Sequence, residues 1–398
     1  MRTAIVNLGA ILTGDLNVPR RYGDTILMSD GLITSVGSGL ATEVEKCDVV
    51  VDAAGTMAMP GLIDSHVHVT FGDYTPRQKT VGFLESYVHG GVTTCISASE
   101  VHVPGRPKDV EGVKALAVAA SRCFQSFRPG GMRVHAGSLI LEPGLQEKDF
   151  AELRKMGVWM VKAGFGAFAS PYEYAPFVAM AREQGMISMV HTGGSSIPGS
   201  SGIWADHVLK INPDVSYHVN GGPVAIPDDD FPRLVNESQM ALQVCTAGNL
   251  RTTLLVAELL RKSRQLDRLL IATDTPTGSG IMPLGMLYTM SHLASLGGME
   301  PEIAVAAATG NNARVYRLNS GVIAEGRDAD VVLIDACLGG SQNDALSALR
   351  NGDVPGVGAV VTGGVPRFVG RSRNTPQTIK SVRVIRSNIV QDFSAASH

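Results

Sequence analysis

The pattern of hydrophobic and polar positions divides the chain into three parts. Residues 1–58 contain short alternating runs such as 25–28 and 32–37, separated by the turn residues Ser29, Asp30 and Gly31, and this pattern predicts β-strands alone. From residue 59 to 317, apolar runs alternate with alanine-rich helical patterns, for example at 113–124 and 172–184. Beyond residue 317 the pattern returns to strands, which we expect at 321–326, 330–335 and 359–362.

The central part has the pattern and the length of a (β/α)8 barrel of the TIM type. Such a barrel needs ~250 residues, or about 31 per strand–helix unit. We place eight strand ends in this part, at His68, Ser97, Ser138, Lys162, His191, His218, Cys245 and Asp274. The two β-rich ends are too short to form a domain each, so we predict one composite β-sandwich domain from residues 1–58 and 318–398. The predicted fold class is therefore α/β, with a barrel at 59–317 and a small β-sandwich domain built from both termini.

Composition and charge exclude some classes of binding partner. The 398 residues are 44% hydrophobic, carry a net charge of -3 and contain no block of like charge, which argues against nucleic acid and anionic membranes as partners. The five cysteines are scattered without a CxxC pair, so neither a disulfide framework nor a structural zinc site is expected. The sequence shows no secretory signal and no apolar run long enough to span a membrane. We expect a cytoplasmic protein that acts on a small molecule.

His66 and His68 are the first candidate site residues. They end a largely apolar run that begins at residue 59. Residues i and i+2 of a strand point to the same face, so the two imidazoles would meet at one point. Neutral imidazole is a good ligand for zinc, iron, nickel or cobalt, and the pair therefore indicates a metal site.

Four further polar residues end later strands in the register of a barrel. Lys162, His191, His218 and Asp274 fall at strands 4, 5, 6 and 8 of the predicted barrel, as the two histidines do at strand 1. The C-terminal ends of barrel strands all lie at one face, where the active sites of this fold are found. We interpret these residues as one candidate active site.

The sequence PGLIDSHVH at 60–68, together with these later residues, resembles the binuclear metal centre of the amidohydrolase superfamily. The resemblance covers the whole chain and implies two divalent metal ions, zinc with zinc or iron. It implies three sets of ligands: His66, His68 and Asp274 for one ion, His191 and His218 for the other, and a bridging Lys162. A free ammonium cannot bridge two cations, so Lys162 would have to act as a carbamate.

The same resemblance implies a reaction. Two metal ions about 3.5–4 Å apart lower the pKa of a bridging water toward neutrality, and the resulting hydroxide would attack a substrate carbonyl. Asp274 would take the proton of this water and pass it to the leaving nitrogen, so that the C–N bond of an amide breaks. The resemblance also implies a homo-oligomer, a dimer or a tetramer.

Several segments are similar to those of enamidases, members of this superfamily that open a cyclic enamide. These segments are 72–80, 89–94, 105–109, 191–201, 220–223 and 372–376. Lys162 departs from that group, whose pattern is glutamate-like at this position. We expect the substrate ring to carry a carboxylate, for which an arginine can be a bidentate partner. The candidate substrate-binding residues are Tyr74, Arg77, His102, Arg106 and Asn220.

Three alternatives stay open. Another hydrolase of the superfamily, similar to hydantoinase or dihydroorotase, would cut a different cyclic amide or imide, and only a substrate screen distinguishes it. A mononuclear deaminase would not need Lys162, and a count of metal ions per chain would discriminate. A non-catalytic scaffold with the same barrel would be expected to lack ligands, whereas this sequence has the full set.

Overall fold

The computed structural model describes residues 1–69, 82–100, 106–195, 200, 202–222, 224–277 and 280–388. Before the barrel begins, the chain forms strands and one short helix within residues 2–60. These elements are β1 (Arg2–Val6), β2 (Ala10–Leu12), β3 (Arg20–Arg21), β4 (Thr25–Ser29), β5 (Leu32–Gly37), α1 (Ala41–Val44), β6 (Val49–Asp52) and β7 (Met57–Pro60). The predicted turn after residue 28 joins β4 to β5, which pair antiparallel.

In the described part of the chain, nine strand segments occupy the eight positions of the predicted barrel wall. They are β8 (Leu62–Val67), β9 (Val92–Ser97), β10 (Arg133–His135), β11 (Ser138–Ile140), β12 (Met160–Ala163), β13 (Ile187–His191), β14 (Val215–Tyr217), β15 (Ala241–Cys245) and β16 (Leu269–Ala272). Strands β8 to β10 pair in parallel, and so do β11 to β16. Gly137, at φ 100°, lies between β10 and β11, where glycine tolerates a backbone conformation that interrupts a strand.

Backbone hydrogen bonds connect these two parallel sheets at both junctions. Glu100 N donates to Ser138 O at 3.1 Å, and Asp274 N donates to His66 O at 2.9 Å. The bond from Glu100 joins barrel position 2 to position 3, and the bond from Asp274 joins position 8 to position 1. The strand ends that carry the candidate residues are thereby brought to the same face of the wall.

Helices follow the strands in the alternation that the sequence predicts. They are α2 (Phe83–Val88), α3 (Val110–Ser126), α4 (Glu147–Lys155), α5 (Tyr174–Glu183), α6 (Ala205–Ile211), α7 (Asp230–Asn236), α8 (Leu250–Lys262), α9 (Gly285–Ser295), α10 (Pro301–Ala308) and α11 (Gly310–Tyr316). Helix α3 begins where the Asp109 carboxylate accepts a hydrogen bond from Gly112 N at 2.8 Å, which satisfies a free amide of the first turn. Inside the wall, Ile63, Met160 and Leu270 belong to one buried apolar cluster. Among the described residues, no helix combines the length and the apolar character needed to cross a bilayer.

After α11 the chain returns to the strands of its first sixty residues. The last elements are β17 (Val331–Asp335), α12 (Ala345–Asn351), β18 (Gly356–Thr362), β19 (Val365–Val369) and β20 (Arg383–Ser387). Two sheets form, in the orders β20-β6-β1-β4-β5 and β19-β18-β17-β7-β2-β3, and each contains strands from both ends of the chain. Ile5, Ile26, Val331 and Val361 belong to the apolar core that these sheets share. Strand β7 crosses the predicted boundary at residue 58, and the predicted domain limits stay a prediction.

One predicted strand is wrong. Residues 321–326 form bends and a turn instead of an extended segment. Gly321 and Gly326 both have a φ of 80°, so the backbone leaves the extended region at each end. The strands predicted at 330–335 and 359–362 correspond to β17 and β18.

Candidate active site

His66 and His68 approach the same carboxylate oxygen. His66 lies in β8, His68 follows the end of that strand, and both side chains are buried. His66 Nε2 lies 3.0 Å and His68 Nε2 lies 3.1 Å from Asp274 Oδ1. The ligand atoms of the three residues all lie within 4.8 Å of one another, so this group could hold a metal ion.

The backbone at Asp274 is fixed by the first barrel strand. The Asp64 carboxylate in β8 accepts a hydrogen bond from Thr273 N at 3.0 Å, and Asp274 N donates to His66 O at 2.9 Å. Asp274 has a φ of 57°, in the left-handed region that residues other than glycine seldom adopt. Strain of this kind persists only where the surroundings enforce it, which is common at functional sites.

His191 and His218 form a second pair of imidazoles. His191 Nδ1 lies 3.1 Å from His218 Nε2. The other two nitrogens donate to backbone carbonyls, His191 Nε2 to Gly194 O at 2.8 Å and His218 Nδ1 to Thr192 O at 3.0 Å. A neutral imidazole carries one proton, so the two nitrogens that face each other both present lone pairs.

Facing lone pairs make this pair fit a metal ion. Two acceptors 3.1 Å apart repel each other unless a cation lies against them. The ring centroids of His66 and His218 are 5.3 Å apart, so the second pair lies next to the first group of ligands. Imidazole nitrogens and a carboxylate are ligands that zinc and iron prefer, and the donor set therefore fits divalent ions of this kind.

Lys162 lies in β12 among aromatic rings. Its Nζ is 4.1 Å from the centroid of the Tyr217 ring and 5.6 Å from that of the Phe165 ring. Burial lowers the pKa of Lys162 to about 7, although the nearby Asp274 carboxylate opposes this shift. A large part of the Lys162 population is therefore a neutral amine at pH 7. We call Lys162 and the five metal-ligand candidates, namely His66, His68, His191, His218 and Asp274, the ligand cluster.

The protonation states of the cluster are those that metal binding requires. Burial lowers the pKa of His66 and His218, and it lowers the pKa of His191 to about 4. Burial alone would raise the pKa of Asp274, but the neighbouring imidazoles outweigh it and hold this pKa well below its usual range. Neutral imidazoles next to an ionised carboxylate are ready to bind a cation without first losing protons.

The predicted substrate-binding residue Arg106 is buried and already has partners. It forms an ion pair with Glu142, and its Nη2 donates to Phe165 O at 2.6 Å. Its Nη1 donates to Pro107 O at 2.8 Å. These contacts join three loops at the same face as the ligand cluster, and a role of Arg106 in binding substrate stays a prediction.

Asn220 is also buried and hydrogen-bonded within the protein. Its Nδ2 donates to Cys245 O at 3.0 Å and to Thr253 Oγ1 at 2.8 Å. The amide therefore links the end of β15 to helix α8. The remaining candidate substrate-binding residues lie outside the described residues: Tyr74, Arg77 and His102.

Three buried polar residues at this face of the barrel were not predicted from the sequence: Asp64, Glu142 and Gln243. Gln243 Oε1 lies 2.9 Å from His66 Nδ1. Each of the three interrupts or directly follows an apolar strand, and a polar side chain at such a position was the available signal. A polar residue within an apolar strand can be predicted to be buried. The residue that it contacts on another strand cannot be predicted in this way.

Comparison with known proteins identifies the family. The enamidase of Eubacterium barkeri is 44% identical to this chain over 385 residues, which cover 96% of this chain and 100% of the relative. This chain belongs to the amidohydrolase family. A model described as the amidohydrolase family matches residues 233–371. The crystal structure of enamidase, a member of the amidohydrolase superfamily, has a TM-score of 0.93 at 44% identity and covers 97% of this chain and 100% of that one.

Less similar proteins carry the names of other activities. The adenine deaminase of Lysinibacillus sphaericus is 27% identical over 304 residues, which cover 72% of this chain and 47% of the relative. The β-aspartyl dipeptidase of Fervidobacterium islandicum has a TM-score of 0.63 at 18% identity and covers 92% of this chain and 96% of that one, which bears on the fold alone. The predicted superfamily resemblance and the predicted fold class, a barrel with a β-sandwich domain, are confirmed.

Proposed function

We propose that this protein is a metal-dependent hydrolase that opens the C–N bond of a cyclic amide. The observation that carries the proposal is the ligand cluster, in which buried acceptor atoms face one another at the C-terminal ends of barrel strands. The 44% identity with an enamidase favours an enamidase-like substrate, a lactam or cyclic enamide ring that bears a carboxylate.

Two divalent ions would complete the ligand cluster. The proposed ligands are His66, His68 and Asp274 for one ion, His191 and His218 for the other, and carbamylated Lys162 between them. When bound, the ions would act as Lewis acids on a substrate carbonyl and lower the pKa of water. Zinc with zinc, or zinc with iron, suits this set of imidazole and carboxylate ligands.

Asp274 would be the general base and acid. Its carboxylate is ionised over the physiological range, because the surrounding imidazoles hold its pKa low. It would take a proton from the attacking water and deliver it to the ring nitrogen as the C–N bond breaks. The fixed backbone at Asp274 would hold the carboxylate in position through both proton transfers.

Lys162 would become an anionic ligand by reaction with CO2. The neutral amine would attack the carbon of CO2, form an N–C bond and release one proton, which leaves a carbamate. The lowered pKa of Lys162 favours this step because the amine, not the ammonium, is the nucleophile. The rings of Tyr217 and Phe165 beside Nζ would shield the product from water.

We also propose a cytoplasmic homo-oligomer, a dimer or tetramer. All five cysteines are free, and Cys123 is exposed, which fits a reducing compartment. Tyr288, within α9, is 54% exposed, and Leu296, directly after its last residue, is 72% exposed; their spacing of eight residues places them on one side of the helix. Exposed apolar side chains of this kind favour a contact between subunits. Light scattering on the purified protein measures the oligomeric state.

A substrate screen combined with metal analysis tests the proposed activity. The panel contains six-membered cyclic enamides and lactams with and without a ring carboxylate, dihydroorotate, a hydantoin and adenine. We expect ring opening of a carboxylated enamide or lactam by a protein that holds two metal ions per chain. The same panel with Asp274→Asn serves as the control for contaminating activity.

Other outcomes of this screen distinguish the alternatives. Release of ammonia from adenine by a protein with one ion per chain would identify a mononuclear deaminase. Ring opening of dihydroorotate or the hydantoin alone would keep the hydrolase and replace its substrate. A protein with two ions per chain and no turnover on any ring would contradict the proposal.

A further inference from the structure

Gln243 is a fully buried amide in β15 that contacts a metal-ligand candidate. Its Oε1 lies 2.9 Å from His66 Nδ1, on the side of the ring opposite to the contact with Asp274. Its Nε2 donates to Ser65 Oγ at 2.7 Å. Both ends of the amide are therefore engaged between the first and seventh barrel positions.

The orientation of this amide follows from the hydrogen bonds around it. Gln243 Nε2 donates to Ser65 Oγ, and the Cys245 thiol donates to the other end of the amide. An amide NH2 group cannot accept a hydrogen bond, so the end that faces Cys245 is the oxygen.

The oxygen of Gln243 therefore faces His66. Cys245 Sγ lies 3.4 Å from the same oxygen, as a second donor to it. A carbonyl oxygen only accepts, so His66 Nδ1 must carry the proton of the neutral ring. His66 Nε2 then presents its lone pair toward Asp274 Oδ1 at 3.0 Å, where a cation would satisfy both atoms.

We infer that Gln243 is a positioning residue that holds His66 in the tautomer whose Nε2 can bind the first metal ion. The inference deepens the proposed function, since it rests on the use of a divalent metal. It does not depend on which cyclic amide is the substrate.

The second pair of imidazoles provides an internal reference. The tautomers of His191 and His218 are set by the backbone carbonyls of Gly194 and Thr192, which a side-chain substitution leaves in place. Loss of the Gln243 amide should therefore lower the affinity for one metal ion and leave the affinity for the other unchanged. A general effect on folding would weaken both.

The test compares metal affinities of the metal-free protein and its variants by zinc titration against a chelator. Gln243→Leu removes the acceptor, and Gln243→Glu retains an oxygen that can accept from His66 Nδ1. Removing the hydrogen-bond partner of a metal-binding histidine typically lowers metal affinity by roughly 10–100-fold. We therefore expect Gln243→Leu to lower the affinity for one of the two ions by that factor. Gln243→Glu should restore this affinity. Leu242→Met, on the opposite face of β15, is the matched control and should leave both affinities unchanged.

A second measurement reads the tautomer directly. In histidine-labelled metal-free protein, 15N spectra distinguish a ring with the proton on Nδ1 from one with the proton on Nε2. We expect the Nδ1–H form of His66 in the native protein and an increase of the Nε2–H form in Gln243→Leu. Ser65→Ala, which removes the anchor of the amide and leaves His66 Nδ1 untouched, should weaken the same ion by a smaller factor even if the leucine variant fails to fold.

Three outcomes would overturn the inference. They are equal loss of both ions in a folded Gln243→Leu protein, unchanged binding of both ions, and a native protein that binds no divalent ion. If Gln243→Leu lowers the affinity for one ion alone but the native protein opens no cyclic amide, only the proposed substrate is contradicted. Failure of the inference and failure of the proposed function are therefore distinguishable.

Discussion

Two groups of buried polar side chains lie at the same face of the barrel and differ in how their hydrogen bonds are completed. In the ligand cluster, acceptors face acceptors, as His191 Nδ1 does with His218 Nε2 at 3.1 Å. In the second group, Arg106 donates to Phe165 O and forms an ion pair with Glu142, so donors meet acceptors.

Under the proposed function, this difference separates the residues that would bind metal ions from residues that join the loops. A buried acceptor without a donor costs free energy, and it persists where a bound group will supply the missing charge. The Arg106–Glu142 ion pair needs no such group, since Glu142 also accepts from Ala167 N at 2.6 Å. Substitutions in the cluster should therefore change activity more than stability, and substitutions in the ion pair should do the reverse.

The largest effect is expected at Asp274. Asp274→Asn keeps the size of the side chain but removes the group that accepts and returns a proton, so kcat should fall by ~10²–10⁴. Thermal unfolding should show a folded protein. Steady-state kinetics on the best substrate of the screen measure the loss.

Asp267→Asn is the control for this substitution. Asp267 precedes the same strand, is 57% exposed and pairs with the exposed Arg314, so its replacement should leave kcat unchanged. Turnover of Asp274→Asn within about threefold of the native rate, far below the range for a general base, would remove Asp274 from the mechanism.

The next largest effect is expected from breaking the Arg106–Glu142 ion pair, and it should appear in the free energy of unfolding. Arg106→Met leaves the buried Glu142 carboxylate without its partner, which typically costs 3–5 kcal/mol. Urea unfolding of the metal-free protein measures the loss. The double variant Arg106→Met/Glu142→Gln should recover part of it because no isolated charge remains.

Arg251→Met is the matched surface variant. Arg251 pairs with Asp228, but both side chains are more than half exposed, so the urea midpoint should stay close to that of the native protein. If instead Arg106→Met leaves stability intact and raises KM for carboxylated rings alone, Arg106 is a substrate-binding residue and the comparison fails.

The carbamylation of Lys162 should depend on pH in a way that identifies the buried amine. With a pKa of about 7, the neutral fraction rises by about tenfold between pH 6 and pH 8 and then approaches its limit. The rate of reactivation of metal-free protein by zinc at fixed dissolved CO2 should follow this curve. A hundredfold rise over the same range without a plateau would indicate an ordinary lysine and would contradict the proposal.

The smallest effect concerns an imidazole outside the ligand cluster. Burial, followed by the nearby Arg128 and Arg133, lowers the pKa of His135 to about 4. The unfolded chain binds the proton more tightly, so the stability contributed by the neutral ring is complete above about pH 6.5 and is lost as the pH falls toward 4. The loss should reach about 1 kcal/mol at pH 5.5.

Unfolding curves of the native protein and His135→Gln at pH 7 and pH 5.5 isolate this contribution. The variant should lose less stability than the native protein over that interval. The same pH dependence in both proteins would show that His135 keeps its ordinary pKa. The result sharpens the comparison, because it measures what burial and two neighbouring cations do to an imidazole outside the ligand cluster.

Regular spacing allowed the barrel and the grouping of all six residues of the ligand cluster to be predicted. Polar residues at the ends of apolar strands recur about once per strand–helix unit, and the period of two in a strand pairs His66 with His68. These are local patterns that a sequence displays directly. The strand predicted at 321–326 failed because the glycines at both of its ends adopt positive φ, which an alternating pattern does not record.

The contacts of Arg106 and Gln243 could not be predicted from local patterns. Arg106 is predicted to bind substrate because it is a cation on a loop at the predicted active-site face, and this role stays a prediction. Only the fold places Glu142 beside it. Gln243 reaches His66 across 177 positions of sequence. Contacts of this separation depend on how the barrel strands are arranged in space, so sequence spacing alone could not predict them.

The pairing of β20 with β6 has a consequence for how the protein is made. Arg383 lies opposite Asp52, so one of the first strands to leave the ribosome receives a neighbour more than 300 residues later. At about 5–20 residues per second, the edge of β6 stays open for roughly 15–65 s during synthesis. An unpaired strand edge is a site of aggregation, and a nascent chain of this protein is therefore expected to need chaperone protection there until translation ends.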